Sequence, residues 1–328
     1  MHLVTGGAGF LGSHLVTHLL AAGESVRVLE KPGVSVAHLP CEKIEIVHAD
    51  IRDAPAMREA TRHCECVYHL AADPNLWRRD RSEFDAINHC GALNVIRAAL
   101  ENGARRVLHT STESILTAPD FHGGSVEHLR FQQRHMLGPY CLSKFHAEKA
   151  VFRMVEAGAP IVVCSPTLPV GPGDRHRTPP TRLAIALCRG ELPAFMECRF
   201  NLIDARDAAL GLMRAMQCGR MGIRYLLGGE NTLLSHWLAM LGGEIGRKVP
   251  RLRVPYAVAL GAAWASEWWA DHVSGEMPMA TLTGVRLTRR CMYFDPSESL
   301  RELGLQPRPL RDSARDAVAW YRDQKILE

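Results

Sequence analysis

Apolar positions along the chain fall into short runs separated by longer amphipathic stretches. The first run, Leu3-Val4-Thr5, ends in Gly6-Gly7-Ala8-Gly9-Phe10-Leu11-Gly12-Ser13, and an apolar stretch of helical character follows. Val26-Arg27-Val28-Leu29, Ile44–His48, Cys66–Leu70, Arg106–Thr110 and Ile161–Cys164 read as further strands. Helices are predicted over Arg52–Arg62, Ser82–Leu100 and Ser143–Glu156, with Asn102-Gly103 stopping the second. Strands alternating with helices predict an α/β fold, a doubly wound parallel sheet with crossover helices.

Beyond the sixth strand the pattern changes. Pro166, Pro169, Pro172, Pro179 and Pro180, with Gly171 and Gly173 among them, predict a loop. Loops at the C-terminal ends of parallel strands are where ligands bind in such sheets. Phe200–Asp204 and Arg224–Leu227 read as short strands that rejoin the main fold, and the chain from Leu233 onward reads mainly as helices. The expected division is a dinucleotide-binding domain over 1–164, rejoined by about 200–230, and a smaller substrate domain from 165–199 and 231–328.

The glycine positions carry specific chemistry. Gly6 lets the chain turn sharply off the first strand, Gly9 lets backbone approach a pyrophosphate, and Gly12 lets the helix pack close to the sheet. Phe10 and Leu11 open that helix, whose free N–H groups and positive dipole end suit phosphate. Glu30 ends the second strand, about 20 residues beyond the loop, where a carboxylate binds the adenosine ribose hydroxyls. A carboxylate there repels a 2′-phosphate and favours NAD, while Lys31 and Arg27 leave NADP open.

Tyr140 and Lys144 are the candidate catalytic pair. Spaced four apart, they share a helix face. A free tyrosine titrates near pH ~10 and is a poor base at neutrality. A neighbouring ammonium stabilises the phenolate, so Lys144 is expected to lower the Tyr140 pKa. Tyr140 could then exchange a proton with an alcohol or carbonyl as hydride moves to or from a nicotinamide.

Composition narrows the class. The chain has 328 residues, 47% hydrophobic and 23% charged, as in ordinary globular proteins. The net charge of +4 comes without any Lys/Arg block, which argues against nucleic acid. Among ten cysteines only Cys64 and Cys66 are close, so reduced thiols and no metal site are expected. A chain opening directly in a buried strand leaves no room for a signal peptide, so a cytoplasmic protein is expected. No apolar run reaches the ~18 residues of a membrane span; Val254–Ala270 comes nearest, and Glu267 interrupts it.

The G-x-x-G-x-x-G spacing, Tyr140 and Lys144 resemble the extended branch of the short-chain dehydrogenase/reductase superfamily. The resemblance covers nearly the whole chain and implies further roles. Thr110-Ser111-Thr112 matches a hydroxyl run whose last member positions the substrate oxygen. Thr112 takes that place, with Ser111 the alternative. Asp50 and Ile51 match the pair flanking adenine. Leu70, Ala71 and Ala72 match the small apolar run along the cofactor, and Asn88 the asparagine that holds the active-site backbone. Pro166 and Thr167 match the segment beside the nicotinamide. The family often forms homodimers through the helices corresponding to Ser82–Leu100 and Ser143–Glu156.

Within that superfamily, Ala72-Asp73-Pro74-Asn75-Leu76-Trp77 and Leu227-Gly228-Gly229-Glu230-Asn231 resemble hopanoid-associated sugar epimerases. Pro166-Thr167-Leu168-Pro169-Val170-Gly171-Pro172 resembles dihydroflavonol reductases, and Thr110-Ser111-Thr112-Glu113 resembles 3β-hydroxysteroid dehydrogenases. Sugar-nucleotide epimerases commonly place an asparagine where Ser165 stands here, and the loop region shows no obvious arginine pair for a diphosphate, Arg175, Arg177 and Arg182 being the candidates. Trp264, Trp268 and Trp269, with Leu260 and Val273, form a stripe that reads first as core packing. Its other readings are a wall for an apolar substrate or an interfacial patch on a membrane.

The expected activity is alcohol/ketone interconversion on a bulky, lipid-like substrate such as a sterol or triterpenoid. A 3-hydroxyl oxidised beside a carboxyl-bearing carbon would give a β-keto acid that loses carbon dioxide, an extension to C4 decarboxylation. The alternative is a nucleotide-sugar epimerase with tightly bound NAD. A non-catalytic NAD(P)-sensing or scaffold protein is the third reading, and the complete Ser/Thr, Tyr and Lys set argues against it.

Overall fold

A computed structural model describes residues 1–327. Seven parallel strands form the main sheet in the order β3-β2-β1-β4-β5-β6-β9. They are β1 (His2–Thr5), β2 (Val26–Glu30), β3 (Ile44–His48), β4 (Cys66–His69), β5 (Arg106–Thr110), β6 (Ile161–Pro166) and β9 (Arg224–Leu227). The order reverses beside β1, which leaves a crevice at the C-terminal ends of β1 and β4.

Alternation along β1 shows how the core divides. Leu3 packs on one face of the sheet with Val67, Ile96, Val107 and Val163. Val4 packs on the other with Leu15, Leu19, Leu108 and Leu212. Both faces are covered by helices, so the central strands read as nearly unbroken apolar runs. The helices Phe10–Ala21 and Ala205–Cys218 cover one face; Ala92–Glu101 and Gly138–Glu156 cover the other.

A second sheet, β10-β8-β7, combines Leu168–Val170 (β7), Arg199–Asp204 (β8) and Glu230–Leu233 (β10). Its core includes Trp237, Leu238, Leu241, Ala317 and Tyr321. Asp204, at the end of β8, joins this sheet to the C-terminal helix by accepting the Ser313 hydroxyl at 2.7 Å.

Several boundaries differ from the sequence expectation. β9 joins the main sheet, but β8 pairs with β7 and β10 instead. β7 lies inside the expected proline loop. Pro169 fits there because β7 is an edge strand, where a missing N–H can face outward. The helix expected over Arg52–Arg62 is shorter, Ala54–Ala60, capped by Asp53 accepting the Ala56 N–H at 3.0 Å. The one expected over Ser82–Leu100 runs as Ser82–Phe84, a π-helical segment Asp85–Gly91, and Ala92–Glu101. The helix bearing Tyr140 begins at Gly138, not Ser143.

Arg224 of β9 ties the sheet to that last helix. It donates to Glu148 Oε1 at 2.5 Å and to the Val126 and Leu129 carbonyls at 3.1 and 3.0 Å. Both members of this ion pair are nearly shielded from solvent. Removing one partner from a buried pair leaves the other charge uncompensated, at about 3–5 kcal/mol. Arg224→Met should lower the unfolding free energy in urea by about that amount, and adding Glu148→Gln should recover part of the loss.

Candidate active site

The glycine loop connects β1 to the helix Phe10–Ala21. Gly6 has a φ of +72°, and a Cβ on Gly12 would sit 2.0 Å from the Gly6 carbonyl oxygen. Both positions therefore exclude a side chain in the folded protein itself. Gly9 differs: a Cβ there would meet only the Gly6 carbonyl oxygen, at 3.1 Å, and otherwise faces open space. The helix starts at Phe10 and Leu11 with no side-chain cap and no acidic residue in its first turn. An open glycine face beside an uncapped helix N-terminus fits the pyrophosphate of a dinucleotide.

Glu30 is buried at the end of β2 and accepts the Ala8 N–H through Oε1 at 2.6 Å, bracing the loop. Burial pushes its carboxyl above the usual range. Lys31 is exposed beside it. Asp50 pairs with Arg52 at 2.7 Å, and Ile51 is buried against Gly91. The Leu70 and Ala71 N–H groups donate to Thr5 Oγ1 at 3.2 Å, while Ala72 lies exposed at the lip. Pro166 ends β6, and the Thr167 backbone N–H donates to the Leu227 carbonyl at 2.9 Å.

The hydroxyl run at the end of β5 meets the first turn of the helix Gly138–Glu156. Lys144 is buried, and its ammonium donates to the Thr110 carbonyl at 2.7 Å. Burial lowers its pKa to about 8. Thr112 Oγ1 donates to Glu113 Oε2 at 3.1 Å, and Ser111 Oγ is buried without a partner. Asn88 sits in the π-helical segment. Its amide accepts the Asp73 N–H at 2.7 Å and donates to the Asp73 carbonyl and Ser143 Oγ at 3.1 and 3.2 Å. One side chain thus fixes the loop after β4 against the helix carrying Tyr140 and Lys144.

The electrostatics of Tyr140 correct one expectation. Its pKa is raised, chiefly by burial; the Thr112 hydroxyl opposes this, and nearby Glu113 adds to it. The Lys144 ammonium is engaged by the Thr110 carbonyl and does not lower the tyrosine in this arrangement. Burial outweighs the cation expected to activate it.

The fold recurs in known proteins. The NAD dependent epimerase/dehydratase family matches residues 2–228 of the chain. The protein belongs to this family. It is an NAD-dependent oxidoreductase of the extended short-chain dehydrogenase/reductase type. A putative dihydroflavonol 4-reductase of Synechocystis sp. is 32% identical over 329 aligned residues, covering 99% of this chain and 95% of the relative. Sterol demethylase protein B of Methylococcus capsulatus is 31% identical over 326, covering 99% of both. The crystal structure of gox2253 superimposes with a TM-score of 0.87 at 30% identity, covering 100% of this chain and 99% of that one.

In this family member, the sequence left several site residues without a role. Glu113 is buried beside Thr112, and burial pushes its carboxyl up to about 7. Its one sequence signal is adjacency to the hydroxyl run. Asp73 is buried in an ion pair with Arg78, and Ser143 is reached by Asn88. His69 and His109 stack below the crevice, 5.8 Å between ring centroids, and burial lowers both pKa values, His69 to about 3. Trp264, Trp268 and Trp269 are exposed, which overturns their reading as a core stripe.

Gly9→Ala should leave the ligand-free melting temperature within a few degrees. By calorimetric titration it should weaken NAD⁺ binding at least about tenfold, ~1.4 kcal/mol. Unchanged affinity would remove the loop as a pyrophosphate cradle. Glu113 gives a stability prediction. Its folded pKa lies above the unfolded value, so the fold binds the extra proton, and stability falls as pH rises through about 7. Relative to Glu113→Gln, the wild type should lose roughly 2–3 kcal/mol between pH ~5 and ~8 in urea titrations.

Proposed function

We propose that the protein interconverts a secondary alcohol and a ketone on a bulky apolar substrate, a sterol or triterpenoid. The observation that carries this reading is where the loop arginines go. Arg175 donates to Gln324 at 2.9 Å and stacks on Trp320, and Arg182 turns to the Met277 sulfur. Two of the three candidate guanidinium groups thus already have partners within the chain. Ser165 adds to it: its hydroxyl is fully buried and unpartnered where a sugar-nucleotide site would present an amide. The 31% identity to a sterol demethylase protein B across both chains supports the same substrate class.

Each residue then has a part. The N–H groups of Phe10 and Leu11 and the open face of Gly9 take the pyrophosphate, and Gly6 and Gly12 shape the loop. Glu30 binds the ribose, with Lys31 beside it. Asp50 and Ile51 flank the adenine, Leu70, Ala71 and Ala72 line the crevice, and Pro166 and Thr167 border the nicotinamide. When bound, NAD supplies the hydride acceptor and a positive ring charge. Tyr140 passes the proton to or from the substrate oxygen, and Thr112, or Ser111 beside it, positions that oxygen by a hydrogen bond. Lys144, one turn along the same helix and held by the Thr110 carbonyl, keeps a positive charge at the site.

Residues 165–199 and 231–328 form the substrate-binding part in this reading. A homodimer through the two long helices and a cytoplasmic location complete it. Oxidation at a carbon beside a carboxyl-bearing one would yield a β-keto acid, so loss of carbon dioxide follows from the same chemistry.

The test is absorbance of the reduced nicotinamide with a 3-hydroxy or 3-keto sterol and, separately, with UDP-sugars. Stoichiometric cofactor turnover with the sterol is expected, lost at least about a thousandfold in Tyr140→Phe, with NAD binding retained. Interconversion of UDP-sugars without net cofactor change would overturn the reading in favour of an epimerase.

A further inference from the structure

The helix Tyr256–Trp269 has the inverse of ordinary amphipathicity. Only Ala263 is buried, and every exposed position from Ala257 to Trp269 is uncharged. Trp264, Trp268 and Trp269 are 62%, 48% and 56% exposed, and Val258 59%. The apolar surface continues through Val273 to Met279, which is 97% exposed. A soluble monomer rarely leaves so continuous an apolar face in water.

The charges around it are sorted. Glu267 and Asp271 turn inward. Glu267 accepts the Leu282 N–H at 2.7 Å, and Asp271 accepts from Trp77 and Arg81 at 3.0 and 2.9 Å. The outward rim is basic. Arg251 is exposed just before the helix, and Arg289 stacks on Tyr256 at 4.8 Å. Arg79 approaches Gly275, and Arg182 meets Met277 at 3.7 Å. None of these four arginines forms an ion pair among the described residues. Glu276 is the exposed acid in the loop.

We propose that this face docks the protein on the surface of an anionic lipid bilayer. Tryptophans suit the depth where an apolar ring and a polar N–H are both accommodated. The arginine rim suits acidic headgroups around the inserted rings. A second copy fits less well, because an isologous contact would bring two basic rims together. No helix among the described residues is long and apolar enough to cross a membrane, so the contact is lateral.

The placement also serves the site. Asp271 grips the loop after β4 through Trp77 and Arg81, and Thr283, one residue past Leu282, packs on Gly138 at the start of the Tyr140 helix. The elements walling the crevice therefore rest on the segments that directly follow the docking helix.

Vesicle flotation tests the docking without any substrate, so its outcome is separate from that of the proposed reaction. The probe is phosphatidylcholine vesicles with about one-third phosphatidylglycerol, compared with phosphatidylcholine alone. Wild-type protein should float with the anionic vesicles, its tryptophan emission should shift to the blue, and brominated lipid should quench it. The triple variant Trp264→Gln, Trp268→Gln, Trp269→Gln should bind at least about tenfold more weakly. Arg251→Glu with Arg289→Glu, or high salt, should weaken binding as well. All these positions are exposed, and circular dichroism checks that the variants fold. Failure of the wild type to float, or equal flotation of the triple variant, overturns the proposal. So does self-association that the triple variant abolishes while no vesicle binding is seen.

Discussion

The contact on which everything else hangs is the approach of the helix Phe10–Ala21 to the Gly6 carbonyl at Gly12. There is no space there for even a methyl group. That closeness sets the helix N-terminus directly over the C-terminal end of β1, an inner strand of the sheet. Its unsatisfied N–H groups then face the crevice where the strand order reverses. Glu30 stabilises the same loop from the neighbouring strand through the Ala8 N–H. Cofactor recognition and core packing are thus one constraint seen from two sides.

The reactive end of the crevice is built by a few polar side chains that reach between elements. Asn88 holds the Asp73 backbone to Ser143, and Lys144 reaches back to the carbonyl ending β5. These bonds fix the three segments that meet at Tyr140. They also sit in a nearly dry environment, which explains the electrostatics. Desolvation raises Tyr140 and Glu113 and lowers Lys144, His69 and His109. In the ligand-free protein the site therefore resists charge on its acids and its histidines alike. The charge that favours proton transfer arrives with the cofactor and substrate.

The C-terminal part has a different logic. Its second sheet and C-terminal helix bury their own core around Trp237 and Tyr321, while the helix Tyr256–Trp269 buries almost nothing. Glu267 of that helix is used internally, on the Leu282 N–H, Asp271 just beyond it clamps the loop after β4, and the aromatic side is left to the outside. A bulky apolar substrate and a lipid surface are consistent with one another: a molecule that dissolves in a bilayer is best collected where the bilayer is.

The sequence by itself determined the fold class, the glycine loop, the end of β2 at Glu30 and the Tyr140–Lys144 pair. Those features are local: a strand followed by glycines, a period of two, a spacing of four. Helix and strand ends were less legible, because the π-helical insertion at Asp85–Gly91 and the edge strand at Leu168–Val170 depend on neighbours distant in the chain. Only the tertiary structure decided that β8 leaves the main sheet, that Glu113 is a buried acid, and that burial overrides the lysine at Tyr140. Only it showed that three closely spaced tryptophans point outward, since periodicity describes a helix face without saying what packs against it. Burial and strand pairing are properties of the assembled chain, and these outcomes follow from them.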